Sequence, residues 1–406
     1  MVAPLLITDS AALASFCAQI SDAPFIAVDT EFMRESTYYP ELCLVQVATP
    51  EHSAAIDPLA AGIDLKPLLD LLVEREDMLK VFHAGGQDVE IIYNLTGKTP
   101  HPIFDTQIGA MALAQAEQLG YSNLVESWLG LSLDKGARFT DWSRRPLDKR
   151  QIDYAIADVT HLAVIFPRML DKLKKTGRGQ WLDEEMEKLA DPANYAMHPE
   201  DAWYRVKIQS KKSDVLGRLK AIAGWRELEA RSKNLPRGRI AKDETLAEIA
   251  AHPPRSQDDL AKVRGLSASW RNNDIGARLM QALADAEPMD HDEMPAAPQR
   301  GPNLGKDGSL VADLLKLLLK IRAREMSVAS RLIARSEELE HLAAGVRDGL
   351  SILTGWRRDV FGQDALELVE GRLGFTVRKG RLVMTRTASE LAPEPALESN
   401  GEPESI

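Results

Sequence analysis

Two acidic side chains at the end of a short apolar stretch are the first candidates for chemistry in this sequence. Asp29 and Glu31 follow the apolar run 25–28, which has the length and composition of a buried strand. Residues two positions apart on a strand face the same side, so the two carboxylates would lie side by side. Adjacent anions repel each other unless a cation or a raised pKa compensates. The pair indicates either a divalent-cation site with oxygen ligands or an exposed strand end without a catalytic role.

A third carboxylate follows a second apolar run. Residues 79–82 read as a strand, the glycines at 85 and 86 turn the chain, and Asp88 precedes a helix predicted over 89–95. An aspartate in the first helical turn is also stabilised by the helix dipole, so this position alone does not separate a catalytic from a structural role. His83 lies in the same junction and is either structural or faces a substrate.

A tyrosine and a fourth carboxylate share one face of a predicted helix over 150–170. Tyr154 and Asp158 are four residues apart, so the phenol lies one turn from the carboxylate and is placed to position a metal-bound water, or is half-buried on an amphipathic helix. The preceding segment 138–147 is basic and aromatic. Its Trp142 and Arg144 suit base stacking and phosphate contact, or a loop anchored by a buried tryptophan.

Short strands alternate with helices in the part of the chain that carries these residues. Apolar residues recur at helical spacing over 65–73. From Thr106 onward the pattern predicts mostly helix, with helices over 108–116 and 123–129. Strands are predicted over 25–28, 42–48, 53–56 and 79–82, with the second and third forming a hairpin. This mixture predicts an α/β or α+β sheet domain.

The rest of the chain divides into two helical segments that resemble repeats of each other. Residues 215–285 and 310–380 are predicted to be helical, and a proline-rich stretch at 287–307 separates them. Apolar residues match at an offset of 93 positions, for example Ile240 with Ile333 and Leu246 with Leu339. A duplicated small helical domain is therefore expected.

Composition and charge exclude several classes of protein. The 406 residues are 44% apolar and 27% charged, and they include only two cysteines, which excludes a disulfide framework and favours a reducing, cytoplasmic location. No apolar run is long enough to span a membrane, and the N-terminus lacks the basic region of a signal peptide. The net charge is −11, yet residues 205–242 contain 12 Lys and Arg against 3 Asp and Glu. That segment either attracts phosphates or forms a solvated helical face.

The order of these motifs resembles the DEDD 3′–5′ exonucleases. Asp-x-Glu, an Asp after a Gly-Gly junction, and Tyr-x-x-x-Asp on a helix resemble the three motifs of their tyrosine subgroup. The strings at 28–32, 82–88, 141–147 and 154–158 are similar to those of the ribonuclease D family. The helical repeats resemble the HRDC domain (helicase and RNase D C-terminal). The resemblance implies an α/β ribonuclease H-like exonuclease domain, with a mixed sheet flanked by helices, followed by two small all-α HRDC-like domains.

The resemblance also predicts the domain bounds. They are an exonuclease domain at 1–170, a connector at 171–213, a first HRDC-like domain at 214–286, a linker at 287–308, a second and degenerate HRDC-like domain at 309–385, and an acidic, disordered tail at 386–406. The second repeat lacks Pro236 and the basic Arg237-Gly-Arg239 of the first, so it is expected to be structural.

The resemblance implies a mechanism and a set of residue roles. Asp29, Glu31 and Asp158 would bind one divalent ion, with Asp29 bridging to a second ion held by Asp88, and Tyr154 would orient the water. Two Mg²⁺ or Mn²⁺ ions suit an all-oxygen site. RNA 3′ ends would release 5′-mononucleotides, with tRNA precursors and other structured RNAs with 3′ overhangs as substrates. The candidate substrate contacts are Phe32, Arg34, His83, Trp142, Arg144, Arg237 and Arg239.

Two other functions remain open on the sequence alone. One is a general exonuclease for single-stranded DNA and RNA, since no residue type here identifies a reader of the 2′-hydroxyl. The other is a non-catalytic RNA-binding protein that relies on the basic segment and the helical domains. The sequence predicts no membrane contact, and an internally duplicated chain favours a monomer.

Overall fold

The chain forms two compact units, residues Met1–Pro298 and Gln299–Ile406. The computed structural model describes residues 5–114, 116–133, 136, 140–290, 293–294 and 304–386. The acidic tail predicted at 386–406, apart from Arg386, and half of the linker predicted at 287–308 lie outside these residues. Within the described ranges, no helix is long and apolar enough to cross a membrane.

A six-stranded mixed sheet forms the centre of the first unit. Its strands are β1 (Leu5–Ile7), β2 (Phe25–Met33), β3 (Glu41–Ala48), β4 (Ser53–Ile56), β5 (Leu79–Phe82) and β6 (Ile103–Asp105), in the order β1-β4-β3-β2-β5-β6. The pairs β2–β3 and β3–β4 are antiparallel, and the other three pairs are parallel. Helices flank this sheet, which confirms the predicted α/β class and the hairpin of the second and third predicted strands.

The central strand β2 carries the first acidic pair beyond the end of its parallel neighbour. Its first four residues are buried, as their apolar side chains require, and the pairing with β5 covers only residues 25–27. Asp29 and Glu31 therefore lie beyond the end of β5, near the turn that leads from β5 into the helix that follows it. A register shift between Glu31 and Phe32 interrupts the pairing with β3 directly after the acidic pair.

Among the residues described up to position 190, seven α-helices accompany the sheet. They are α1 (Ser10–Gln19), α2 (Lys66–Val73), α3 (Gly86–Thr96), α4 (Thr106–Ala112), α5 (Tyr121–Leu129), α6 (Lys149–Lys175) and α7 (Asp183–Ala190). The longest, α6, packs on β2, β3 and β4. Asp148 and Gln151 form a capping box that starts it, and three lysines in its last turn favour its C-terminus. This helix continues five residues beyond the boundary predicted at residue 170.

The remaining part of the first unit is a small all-helical domain. It consists of α8 (Ser213–Ser232), α9 (Arg237–Ile240), α10 (Asp243–Ala251) and α11 (Asp274–Ala284). Leu216, Leu219, Leu246, Ile249 and Leu279 from three of these helices share one buried apolar cluster. Because the apolar residues recur at helical spacing, each helix buries one face against that common core.

The second unit repeats this succession of helices at the predicted offset. It contains α12 (Gly305–Met326), α13 (Ser330–Ile333), α14 (Ser336–Ala343), α15 (Gly355–Arg357) and α16 (Gln363–Val369). The helices α13 and α14 begin 93 residues after α9 and α10, which matches the spacing of the apolar residues in the sequence.

The prediction of helix up to residue 380 is wrong at its C-terminal end. Strands β7 (Leu373–Arg378) and β8 (Arg381–Arg386) form an antiparallel hairpin, so the second unit is not purely helical. Lys379 and Gly380 both have positive φ, of 50° and 74°, which is typical of a two-residue turn between twisted strands. The signal for this hairpin was the alternation of apolar and polar residues on either side of Lys-Gly.

Candidate active site

The two acidic motifs farthest apart in the sequence meet at one cavity of the first unit. Asp29 lines this cavity, whose volume is about 360 Å³, together with Tyr154 and Asp158 of α6. Glu31 lies two residues further along β2, and its charge acts on the Tyr154 phenol. His83, from the turn after β5, also lines the cavity. We call it the acidic cavity.

Asp88 approaches this group from the first turn of α3. Its side chain is buried, and one carboxylate oxygen accepts a hydrogen bond from the Thr30 hydroxyl. The charge of Asp29 raises the pKa of Asp88, so the two carboxylates lie close enough to repel each other. The structure thus brings all five residues of the predicted motifs to one end of the sheet.

The electrostatics of the site oppose the charged form of two of its acids, Asp29 and Asp88. Burial raises the pKa of Asp29 well above its ordinary value, and the charge of Asp158 raises it further, against a backbone hydrogen bond at Thr30. Burial also raises the pKa of Asp88, and the charge of Asp29 adds to that effect. Keeping both groups ionised at neutral pH therefore costs free energy, and a bound cation would offset that cost.

The donor atoms of the site fit a hard divalent cation. Four carboxylates supply oxygen ligands only, which Mg²⁺ and Mn²⁺ prefer. Two of these carboxylates accept hydrogen bonds from neighbouring hydroxyls, Asp88 from Thr30 and Asp158 from Tyr154. Within the described ranges, no three His, Cys, Asp or Glu side chains are arranged as a closed set of metal ligands.

The Tyr154 phenol is a hydrogen-bond donor and not a base. Burial is the main cause that raises its pKa above the ordinary value, and the charges of Asp158, Glu31 and Asp29 act in the same direction. The phenol consequently stays protonated across the physiological pH range. It can orient an oxygen atom in the cavity, but it cannot remove a proton there at useful rates.

Comparison with known proteins assigns the chain to a family. Residues 4–174 match a model of 3′–5′ exonucleases, and residues 215–283 match the HRDC domain. A ribonuclease D of Sphingobium indicum is 69% identical over 94% of this chain and 98% of its own length. The chain belongs to the ribonuclease D family. A ribonuclease D of Zymomonas mobilis is 61% identical over 95% of this chain and 99% of its own length.

Membership of the ribonuclease D family establishes the class of reaction. The crystal structure of Escherichia coli RNase D, described as an exoribonuclease involved in structured RNA processing, matches with a TM-score of 0.74 and 30% identity. The match covers 91% of this chain and 99% of that one. The chain is a 3′–5′ exoribonuclease whose substrate is RNA, and its fold is that of the metal-dependent DEDD exonucleases. These findings confirm the predicted class of enzyme.

The predicted substrate contacts near the acidic cavity differ in their exposure, since His83 and Phe32 are partly accessible and Trp142 is buried. His83 lines the cavity, where burial lowers the pKa of its imidazole, and its Nδ1 lies 3.0 Å from the Thr106 hydroxyl. Phe32 is half-buried at the irregularity of β2. Trp142 is only 2% exposed and packs in a core cluster, so its indole is not available for stacking on a base. Trp142 therefore anchors its loop in the core.

Two of the predicted arginine contacts are engaged in ion pairs. The Arg34 guanidinium lies 2.5 Å from the Glu90 carboxylate, a partner 56 residues away that the sequence does not reveal. Arg237 binds Glu227 at 2.6 Å and donates to the Tyr38 hydroxyl at 3.0 Å. Arg237 therefore has structural partners within the chain, and its predicted contact with RNA stays a prediction. Arg144 and Arg239 are exposed.

Sequence reasoning missed Asp105, which fixes the turn that leads to Asp88. The Asp105 carboxylate accepts hydrogen bonds from the backbone N–H groups of Ala84, at 3.0 Å, and Gly85, at 2.9 Å. Ala84 has a positive φ of 58°, which an alanine seldom adopts, so these bonds stabilise an otherwise unfavourable turn. The available signal was an aspartate between a strand and a helix, which is also the ordinary pattern of an N-cap.

Two further residues next to the acids were also missed. Tyr121 lines the acidic cavity, and its hydroxyl donates to the backbone carbonyl of Ala157 at 3.1 Å. Gln46 pairs with Asp29 in the register of β2 and β3. Its side chain is fully buried and finds no hydrogen-bond partner among the described residues. A polar residue inside the otherwise apolar strand 42–48 was the signal for Gln46.

Proposed function

We propose that the exoribonuclease reaction takes place in the acidic cavity, with two divalent cations, Mg²⁺ or Mn²⁺, held by Asp29, Glu31, Asp88 and Asp158. The observation that carries this assignment is the position of Asp29 between two other acids. Its own pKa is raised by Asp158, and it raises the pKa of Asp88. Such a buried group of anions is unfavourable without cations and favourable with them.

The chain's own residues supply position and proton control. When bound, divalent cations stabilise charge on the attacking and leaving oxygens of an in-line displacement. Tyr154 remains a protonated donor beside Asp158 and orients the attacking water through its hydroxyl. Burial keeps the His83 imidazole neutral, so this ring contributes shape and a hydrogen bond instead of a positive charge. Water attack on the last phosphodiester releases a 5′-mononucleotide and leaves a new 3′-hydroxyl.

We infer that the physiological substrates are precursor tRNAs and other structured RNAs with single-stranded 3′ ends. The support is the description of the Escherichia coli relative as an enzyme of structured RNA processing. A cavity of about 360 Å³ accommodates one nucleotide more readily than a duplex end, so trimming would stop at a stable stem.

We further propose that the chain acts as a monomer in the cytoplasm. Its two cysteines are free and buried, which suits a reducing compartment.

The test uses a 5′-labelled single-stranded RNA with a free 3′-hydroxyl and a DNA of the same sequence. The expected result is a ladder that shortens from the 3′ end in Mg²⁺ or Mn²⁺ and is abolished by EDTA and by the Asp29→Asn substitution. Equal shortening of the DNA would favour a general single-strand exonuclease. A fully active Asp29→Asn enzyme would remove the acidic cavity as the site.

A further inference from the structure

A second cavity lies where the sheet domain, the connector and the first helical domain meet. Its volume is about 540 Å³, and all its lining residues belong to the first unit. Four of the seven tyrosines of the chain line it, namely Tyr38, Tyr39, Tyr93 and Tyr195. Two others, Tyr121 and Tyr154, line the acidic cavity. We call this second space the tyrosine cavity.

The rings of the tyrosine cavity are accessible and not only part of the core. Tyr39 is 38% exposed and meets Tyr38 edge to face, with ring centroids 4.6 Å apart. Tyr93 and Tyr195 contact each other across the cavity wall, with centroids 6.1 Å apart. Exposed aromatic rings in a groove are typical of sites that stack on unpaired bases.

The tyrosine cavity is also basic. Four arginines line it against a single lining carboxylate, that of Glu90. Arg231 and Arg237 are fixed by the fully buried Glu227, and both guanidinium groups lie near the Tyr38 ring, at 5.7 and 4.7 Å from its centroid. Arg205 is exposed and forms no salt bridge with any described residue. A free guanidinium beside accessible rings has the composition of a single-strand binding groove.

Two elements connect the tyrosine cavity with the acidic cavity. Arg34 follows β2 three residues after Glu31, which is a distance of about 10 Å along an extended chain. Glu90 lies two residues after Asp88 on α3 and binds Arg34 at 2.5 Å. The two cavities are therefore separated by no more than the length of a few nucleotides of single strand.

We propose that the tyrosine cavity is a subsite for the unpaired RNA segment on the 5′ side of the nucleotide that is removed. Tyr39 stacks on a base, and Arg205 contacts a phosphate. This inference rests on the proposed location of hydrolysis in the acidic cavity. It gives the first HRDC domain a defined task, because α8 and α9 build one wall of the subsite and hold it against the exonuclease domain through Tyr38.

The experiment compares a single-stranded RNA decamer with a dinucleotide, using Tyr39→Ala and Arg205→Ala in the full chain. We expect the ratio of kcat/KM for the decamer to that for the dinucleotide to fall about fivefold to tenfold in each variant. Tyr39→Phe and Arg205→Lys should restore most of the ratio. The matched control is Arg168→Ala, an exposed arginine on α6 outside both cavities, which should leave the ratio unchanged.

Binding of the decamer to the same variants in an Asp29→Asn background identifies the kind of contact. Arg205→Ala should reduce the slope of log Kd against log salt by about 0.7, the value for one phosphate of a single strand. Tyr39→Ala should weaken binding without a change of slope. An equal loss of activity on both substrates, or an unchanged ratio, would overturn the subsite. If the acidic cavity is not the site of hydrolysis, the Asp29→Asn enzyme will still degrade the dinucleotide. That result is distinct from an unchanged substrate ratio, which would overturn only the subsite.

Discussion

The charge of Asp29 is unfavourable in the metal-free protein and useful only when a cation faces it. Because its folded-state pKa is raised, the folded protein binds this proton more tightly than the unfolded chain does. The resulting contribution to stability is present at low pH and is lost as the pH rises through the folded-state pKa. The same reasoning holds for Asp88. In the metal-free protein, these two acids therefore reduce stability at neutral pH for the sake of function.

We predict that Asp29→Asn stabilises the metal-free protein while it abolishes activity. In EDTA at pH 7.5, the melting temperature should rise by about 3 °C, because a buried repulsion worth about 1 kcal/mol is removed. At pH 5.5 the difference from the wild type should shrink, since Asp29 takes up a proton. Mg²⁺ should raise the melting temperature of the wild type more than that of the variant. Glu76→Gln, at an exposed carboxylate, is the control and should change neither value. A lower melting temperature of Asp29→Asn in EDTA would contradict the electrostatic argument.

We predict that Tyr154→Phe lowers kcat about 100-fold and leaves the stabilisation by Mg²⁺ nearly intact. The reason is that the phenol orients the water and is not itself expected to hold a cation. Because the raised pKa keeps Tyr154 protonated, the pH profile of the residual activity should parallel that of the wild type. A loss of the Mg²⁺ effect in proportion to kcat would show instead that Tyr154 supports the metal site.

At the scale of elements, the turn between β5 and α3 decides where Asp88 lies. A Cβ atom added at Gly85 would come within 2.5 Å of the Phe82 Cβ, while one added at Gly86 meets nothing within 4 Å. The turn is also held by the Asp105 carboxylate, which accepts from the backbone of residues 84 and 85. Close packing against Phe82 thus requires a glycine at position 85, whereas packing does not require one at position 86.

We predict that Gly85→Ala destabilises the protein by about 2 kcal/mol and lowers kcat, because Phe82 or the turn must move and Asp88 moves with it. Gly86→Ala is the matched control and should be neutral or slightly stabilising, since an alanine replaces a glycine at the start of α3. Thermal melting and kcat on one RNA check both variants. Similar losses in the two variants would show that flexibility of the turn, and not close packing at residue 85, is what matters.

The sequence sufficed for those parts of the fold that follow from local patterns. The apolar run before Asp29 predicted β2, and the four-residue spacing of Tyr154 and Asp158 predicted their common face on α6. Partners distant in the sequence were not predictable, as with Arg34 and Glu90. Nor was the burial of Trp142, because an aromatic residue in a basic segment suits a core and a stacking surface equally well.

The whole first unit distributes its positive charges in a way that net charge does not reveal. Of the basic residues in 205–242, several are paired inside the first HRDC domain, such as Arg226 with Asp243 at 2.6 Å and Lys233 with Glu229 at 3.2 Å. Others are exposed and form no salt bridge with a described residue, and these are Arg205, Lys207, Lys211, Lys212, Arg239 and Lys242. Four of these six lie in the segment that leads into α8. Phosphate attraction should therefore come from that segment and not from the core of the helical domain.

This distribution separates the effects of substitutions at exposed and at buried positions of one basic segment. We predict that the double variant Lys211→Ala, Lys212→Ala weakens RNA binding and lowers the slope of log Kd against log salt by about 1.4, with the melting temperature unchanged. Arg226→Met should instead lower the stability of the protein without a change of the salt slope. Its guanidinium is buried and bonded to Asp243 and to the Ala241 carbonyl, so its loss should cost about 2 kcal/mol of stability and leave the salt slope intact. Salt titrations and thermal melting of the two variants give both readings. A reduced slope in Arg226→Met would mean that RNA reaches the helical core, whereas an unchanged slope in the lysine variant would place the phosphate contacts on the exonuclease domain.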